Sequence, residues 1–507
     1  MTLLSRISGL LRDVVFANLL GDRLAADVFF VAFRIPNFFR RITAEGAFSA
    51  AFVPVFTDFR QHRGADDINR FLELMIGRFG FILLLTCLAG VLLTPWIVQG
   101  LAWGFTQEPD KFDLTVRTAR LTFPYLFFIS LVAMSAAMLN TCGRFAAPAA
   151  TPVLLNVCLI FAALTLTPLF SEAPIALGIG VLLAGVVQLA FQFPFLRKEG
   201  LSIRPRMRAV ESDATAVTGV VQVFKLMIPA VFGASVSQLN VLINTLLASF
   251  MVTGSVSWLY YSDRLFEFPV GVFGIALGTV ILPDLSKKYS EGSHDDFSRT
   301  LDWGMRWVFL ICVPATVALA VLAVPLIATI FFHGDFTANG VYMSAQSLTA
   351  YSIGLLPIVM VKVLVPGFFA RKNTRTPVKI GVVAVAVNIV MCLVLFYPLQ
   401  HTGLALATSL AAMVNAGLLY SSLRRDGVLQ TGAGWFTLLG KIVLASLFMG
   451  TVLWWGGGEA GHWLAQSIPY RVIKIAGLVV VGIVVYFLVL YLLGLRVKSF
   501  WLQRGVE

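Results

Sequence analysis

Apolar runs of bilayer length dominate this chain and leave little choice of architecture. About 20 apolar residues cross a bilayer as a helix. On that measure the sequence reads as fourteen segments, near 2–20, 24–58, 71–103, 116–141, 150–170, 174–196, 220–250, 255–285, 300–332, 342–369, 377–398, 403–423, 435–456 and 470–495. Several are longer than a straight crossing needs, so they tilt, kink or extend past the bilayer. Of the 507 residues, 58% are hydrophobic and 13% charged, and the mean hydropathy is +0.86. That composition excludes a soluble enzyme and gives the expected fold class, an all-α polytopic membrane protein.

The formal net charge of +12 raises nucleic acid as a partner, but the basic residues sit in short loops between apolar runs, which argues against it. The loops alternate in charge. Those on one side carry twenty-one basic residues, including Arg60, Arg144, Arg197, Lys287, Arg371, Arg424 and Arg496, whereas those on the other hold only Arg23 and Lys111. The positive-inside rule places both termini and the large loop 197–219 in the cytoplasm, and an even helix count requires the same. Arg6 and Arg12 interrupt the first apolar run, so no cleavable signal peptide is expected. Cys87, Cys142, Cys158, Cys312 and Cys392 are scattered through apolar segments or their ends, with no CxxC or Cys/His cluster. Neither a disulfide framework nor a zinc site is indicated.

An internal repeat runs through the helices. Arg34 matches Arg264 and Pro95 matches Pro325, each 230 residues later; Pro54 matches Pro283 after 229, and Arg144 matches Arg371 after 227. A near-constant offset implies two homologous six-helix halves around a central cavity. Because six is even, the halves share one topology and are related by an axis along the membrane normal. The expected organisation is an N-terminal lobe over 1–200, a cytoplasmic linker over 201–219, a C-terminal lobe over 220–425, and two added helices over 426–507. The first helix is shorter than its counterpart, the seventh, which reads as a truncated start.

Against this apolar background, the stretch Arg23–Pro54 stands out: it holds Asp27, Arg34, Arg40, Arg41 and Glu45. A charge at bilayer depth costs about 2.5–3.5 kcal/mol on insertion scales, so such a set must face protein, water or a charged ligand. Asp27, Arg34 and Arg41 follow at i, i+7 and i+14, with Glu45 four later, and share one helix face. Pro36 is expected to bend the helix and bring Arg40 to that side. The competing reading is a cytoplasmic helix end with Arg40 and Arg41 snorkelling. Further charges lie in other apolar runs: Arg6, Arg12 and Asp13 in the first, Asp263, Arg264 and Glu267 in the eighth, and Lys362 in the tenth. Asp263 and Glu267 flank Arg264, so a local ion pair competes with a ligand role. Gln238, Asn240 and Asn244 read as interhelical hydrogen-bonding groups.

Helices 1, 2, 7 and 8, which carry most of these polar and charged residues, line the junction of two parallel halves where transporters place substrate. Arginine prevails over lysine, and guanidinium grips phosphate oxygens bidentately while staying charged when desolvated. The pocket therefore suits a phosphate or diphosphate; an organic-cation pump would want lone carboxylates and aromatics. No P-loop, zincin helix or G-x-S-x-G elbow occurs. The five histidines, His62, His294, His333, His401 and His462, fall in loops without partners and receive no role. The expectation is a transporter rather than an enzyme, without cofactor or metal, driven by an ion gradient or the membrane potential.

Four stretches carry a specific likeness: SRISGLLRD at Ser5–Asp13, ADVFFVAFRIPNFFRRITAEGAFSAAFVP at Ala26–Pro54, GSVSWLYYSDRLFEFPVGVFGIALGTVILP at Gly254–Pro283, and TPVKI at Thr376–Ile380. They closely resemble the MurJ/MviN family, lipid II flippases of the multidrug/oligosaccharidyl-lipid/polysaccharide exporter superfamily, over nearly the whole chain. The resemblance implies outward transport of undecaprenyl-diphosphate-linked disaccharide-pentapeptide across the bacterial inner membrane for peptidoglycan synthesis. It places the family's cavity arginines on Arg6, Arg12, Arg40 and Arg264. Its further charged positions fall on Asp27, Arg34, Arg41, Glu45, Asp263, Glu267 and Lys362, with Asp13 beside Arg12. It implies a polyprenyl-tail groove on helices 13 and 14. Lipid II, membrane lipids and cell-wall polymerases are the expected partners of a monomer. Alternating access would rock the halves about bends such as Pro36 and Pro269, with Arg12 and Arg264 gripping the diphosphate from either half. The alternatives are a drug/cation antiporter or other polysaccharide-lipid exporter of the same fold, and a non-transporting cell-wall scaffold.

Overall fold

A computed structural model describes residues 2–42, 48–210, 213–432 and 434–495. Glu45 lies outside the described residues. Among those described, all regular structure is helical. Contacts divide the chain into two compact units, Met1–Ser257 and Trp258–Glu507.

The first unit contains α1 (Thr2–Leu20), α2 (Leu24–Ile42), α3 (Phe48–His62), α4 (Ala65–Leu92), α5 (Thr94–Leu101), α6 (Pro109–Thr122), α7 (Tyr125–Thr141), α8 (Ala146–Thr165), α9 (Ala173–Lys198) and α10 (Ala214–Ser249). α10 packs on α2, α3 and α4, which puts it in this unit by contact. α11 (Ser255–Ser290) starts at the unit's end and lies mostly in the second, followed by α12 (His294–Val321), α13 (Ala323–Ile330), α14 (Ala338–Ser352), α15 (Leu355–Phe369), α16 (Arg375–Arg425), α17 (Trp435–Gly457), α18 (Ala460–Ala465) and α19 (Ile468–Leu492). Ten helical stretches among the described residues are long and apolar enough to cross a membrane. The charge-bearing α1, α2 and α11 are not among them.

Several apolar runs that read as single helices are broken. The run 71–103 divides at Leu93, where Pro95 in the first turn of α5 cannot donate to the preceding turn. The run 116–141 divides at Phe123 and Pro124. In the second unit the breaks fall at Leu322 and at Ile353–Gly354, about 230 residues later, which is the spacing of the repeat. α16 is two helices joined at a kink: Gln400, two residues after Pro398, leaves the helical region at φ 48°, ψ −133°.

Prolines inside helices free the carbonyl four residues back, which must find a donor where no water reaches it. Pro36 frees Ala32, and the Thr122 hydroxyl of α6 donates to that carbonyl at 3.1 Å. α2 thus runs through its proline to Ile42. Pro314 in α12 frees Leu310, and the buried Tyr486 hydroxyl of α19 donates to it at 2.7 Å. Both replacements join two helices.

Aromatic packing supplies much of the first unit's core. Phe48, Phe52 and Phe56 recur every four residues along α3 and stack on one another and on Phe71 and Phe79 of α4. In the second unit α12, α17 and α19 share a cluster built on Leu310, Ile442, Leu453 and Leu490.

Candidate functional site: intramembrane charges

On α1, Arg12 and Asp13 are 4% and 0% exposed. Asp13 Oδ1 accepts from Arg12 Nε at 3.0 Å and Nη2 at 2.7 Å. Arg12 Nη1 donates to Asn156 Oδ1 of α8 at 3.1 Å. The Asn156 amide in turn donates to Ser8 Oγ at 2.9 Å and to the Ser5 carbonyl at 3.3 Å. Ser5, Ser8 and Arg12 of the first motif therefore converge on one asparagine, and Asp13 joins through Arg12. Adjacent acid and base neutralise each other there, which makes a buried guanidinium tolerable. Arg6 is half-buried on the same helix.

The charges of α2 do not share one environment. Asp27 is 1% exposed and receives the Gly254 N–H at 2.8 Å, the Ser257 N–H at 2.9 Å and the Ser257 hydroxyl at 2.9 Å. Lys111 Nζ of α6 donates to it at 3.3 Å. The carboxylate thus caps the first turn of α11 from another element, taking the place of an N-cap side chain. Lys111 is also 1% exposed; it donates to Thr253 Oγ1 at 2.9 Å and lies 4.1 Å from the Phe105 ring centre. Arg34 is half-buried and donates to the Thr245 hydroxyl of α10. Arg40 is half-buried, with Nε 3.3 Å from Asn37 Oδ1, and Arg41 is exposed.

In the second unit Asp263, Arg264 and Glu267 are half-buried on α11. Arg264 Nη1 meets Glu267 Oε2 at 3.3 Å, the local pair that the spacing allows, and the guanidinium lies 5.9 Å from the Tyr260 ring centre. The Glu267 side chain is 45% exposed, so this pairing is weak and hydrated. Lys362 of α15 is exposed and lays its stem over Gly274: a Cβ there would stand 2.4 Å from Lys362 Cδ.

Several polar residues escaped the sequence reading. Lys111 looked like a loop cation, although a lone lysine on the basic-poor side was itself a signal. The histidines were expected without partners, and this is corrected. His401 is buried in α16, bonds the Met343 carbonyl at 3.1 Å and packs on Trp258. His333 Nε2 lies 3.2 Å from the Thr329 carbonyl, and His62 pairs with Asp58. Asp302 of α12 accepts from Trp435 Nε1 at 2.7 Å, Arg306 Nε at 2.8 Å and the Gly432 N–H at 3.3 Å, which fixes the loop that leads into α17. Arg471, at the start of α19, donates to the Ala328 and Phe332 carbonyls at the end of α13, at 2.6 and 3.2 Å.

A family model described as lipid II flippase MurJ matches residues 16–473. The chain belongs to the MurJ family. A probable lipid II flippase MurJ of Vibrio cholerae is 44% identical over 98% of this chain and 95% of its own length. The lipid II flippase MurJ of Burkholderia cenocepacia is 37% identical over 90% and 88%. A solved structure of lipid II flippase MurJ in an inward closed conformation superposes with a TM-score of 0.81 at 26% identity, covering 96% of both chains. An inward-facing multidrug resistance MATE transporter of the MOP superfamily, 15% identical, matches with a TM-score of 0.66 over 84% of this chain and 95% of its own; it shows the shared fold. MurJ is thus a family of multi-pass membrane transporters, not of catalysts.

Proposed function

We infer that this chain is a lipid II flippase serving peptidoglycan synthesis. The observation that carries the inference is the MurJ match over 16–473, joined to relatives of that name along nearly the whole length. The chain spans the bacterial inner membrane with both termini cytoplasmic, as the one-sided distribution of loop arginine and lysine favours. Its cargo is undecaprenyl-diphosphate-linked disaccharide-pentapeptide, carried from the cytoplasmic to the periplasmic leaflet.

The diphosphate is met by Arg6, Arg12, Arg40 and Arg264, with Asp13, Asp27, Arg34, Arg41, Glu45, Asp263, Glu267 and Lys362 setting the field around them. Two features support this reading. Arg264 keeps a hydrated guanidinium beside a half-exposed partner. Arg40 Nε donates to the Asn37 amide oxygen at 3.3 Å. A guanidinium stays charged when desolvated and can grip phosphate oxygens bidentately. The exposed apolar rows of α17 and α19, such as Leu444, Leu447, Val480 and Val484, suit a polyprenyl tail.

Transport proceeds by alternating access, with bends at Pro36 and Pro269, uses no prosthetic group and draws on an ion gradient or the membrane potential. The protein acts as a monomer that hands its cargo to cell-wall polymerases. Depletion in cells tests the reading: lipid II should accumulate while externally accessible lipid II falls. Unchanged external labelling of lipid II after depletion would refute it.

A further inference from the structure

Residues 201–210 cross α4 without regular structure. The Ser202 N–H donates to Asn69 Oδ1 at 2.8 Å, and its hydroxyl to Glu73 Oε1 at 2.8 Å. The Arg206 N–H donates to the Glu73 carbonyl at 2.9 Å, and the Arg206 guanidinium closes on Asp213. Gly77, one turn beyond Glu73, permits this approach: a Cβ there would stand 2.2 Å from the Arg206 carbonyl oxygen. Side chains along this strap alternate. Ile203, Pro205 and Met207 border a cavity, the last two partly open to the outside, and Arg204 and Arg208 are exposed.

The cavity behind the strap measures about 410 Å³ and is walled by α4, α7 and α9 through residues such as Leu84, Phe127, Leu131, Met138 and Phe193. Its volume is that of a ligand site, yet Ser135 alone brings a polar side chain to the lining. A water-soluble ligand would need more polar anchors, but a hydrocarbon chain needs none. All three walls belong to stretches able to cross a membrane, and Phe81 and Leu84 at the rim are exposed. Arg197 and Lys198, immediately after Leu196 of the lining, are exposed too. Four exposed cations therefore stand beside an apolar groove, while Glu73, Glu199 and Asp213 are engaged with Ser202, Arg144 and Arg206.

We propose that this groove holds an acyl chain of an anionic membrane phospholipid, with the phosphate at its mouth against Arg204 and Arg208. Each basic residue beside an anionic membrane surface strengthens attraction roughly fivefold. The charge complementarity selects anionic over zwitterionic lipid, and the apolar walls select a chain over a free phosphate.

Native mass spectrometry of the delipidated full-length protein, titrated with phosphatidylglycerol or phosphatidylcholine of identical chains, tests this. Wild type should bind the first more tightly. Arg204→Gln with Arg208→Gln should weaken phosphatidylglycerol roughly five- to thirty-fold and leave phosphatidylcholine unchanged. Gly80→Trp should abolish the tight adduct, because a Cβ at Gly80 opens into free space within the groove. Should that variant fail to fold, the charge variant, altered only at exposed positions, decides. Equal binding of both lipids by wild type, or unchanged phosphatidylglycerol affinity in the charge variant, would overturn the proposal. Displacement of the tight adduct by a polyprenyl diphosphate that binds more tightly would assign the groove to the cargo and overturn it as well.

Discussion

Asp27 and Lys111 offer a direct measurement of how the first unit is held together. Asp27→Ala removes the acceptor of two backbone N–H groups and one hydroxyl. It also takes the buried acid from an ammonium that is 1% exposed, leaving it the Thr253 hydroxyl at 2.9 Å and the half-exposed Glu108 at 3.8 Å. Breaking a buried pair from one side costs about 3–5 kcal/mol, and the lost cap of α11 adds about 1 kcal/mol. Lys111→Met is milder, because the carboxylate keeps its three other donors; about 2 kcal/mol is expected, as for a lost charge-assisted hydrogen bond. In the double variant neither charge is left without its partner, so the cost should fall short of the sum by about 1–3 kcal/mol. Unfolding of the full chain in mixed micelles, titrated with a denaturing detergent, gives the cycle. Single-variant costs that add within about 0.5 kcal/mol, or an Asp27→Ala cost below about 1 kcal/mol, would show that Lys111 and the α11 turn do not depend on this carboxylate.

Three further outcomes are expected. Tyr486→Phe and Thr122→Val should each destabilise by about 0.6–1.7 kcal/mol, and Pro314→Ala should rescue the first by restoring the helix's own donor; an unrescued Tyr486→Phe would refute the replacement role. In complementation with immunoblotting, Arg264→Ala should lose growth at normal protein level, with lysine only a partial rescue. Arg12→Ala should lower the level as well, because the buried Asp13 loses two charge-assisted hydrogen bonds, and Arg34→Ala should be milder than Arg264→Ala. His333, in the loop between α13 and α14, has its pKa lowered by burial and then by the neighbouring Arg471 charge. Its folded form binds fewer protons than the unfolded chain, so its contribution to stability is complete above the ordinary value of about 6.5 and is lost as pH falls below it. Replacement by Gln should flatten the loss of stability between about pH 7 and 5, and an unchanged pH profile would exclude His333 as its source.

Helix positions were legible because lipid demands long apolar runs, and the ends of α1, α9, α17 and α19 fall close to the expected limits. The breaks at Leu93, Phe123, Leu322 and Ile353 were not legible, since both flanks are equally apolar and hydropathy carries no mark of a one-residue change in direction. The charge-bearing helices could be chosen from cost alone. The partners could not: Asp13 neutralises Arg12 from the next position, and Asn156, which completes that knot, lies 144 residues away. Periodicity put Asp27, Arg34 and Arg41 on one face, but a helix face is not one environment. The turn at 253–257 covers only its first part, so Asp27 is sealed while Arg41 stays exposed.

Tyr486, Asp302 and Arg471 together fasten the last two long helices to the second unit: α17 through the loop at Gly432–Trp435, α19 through the carbonyls of Leu310, Ala328 and Phe332. These attachments are distributed along α12 and α13, not gathered at one hinge. A hairpin stapled in that manner has no swivel of its own. Any displacement of α12 is handed directly to the apolar rows on α17 and α19, so a lipid tail resting there would ride as a passenger of that lobe.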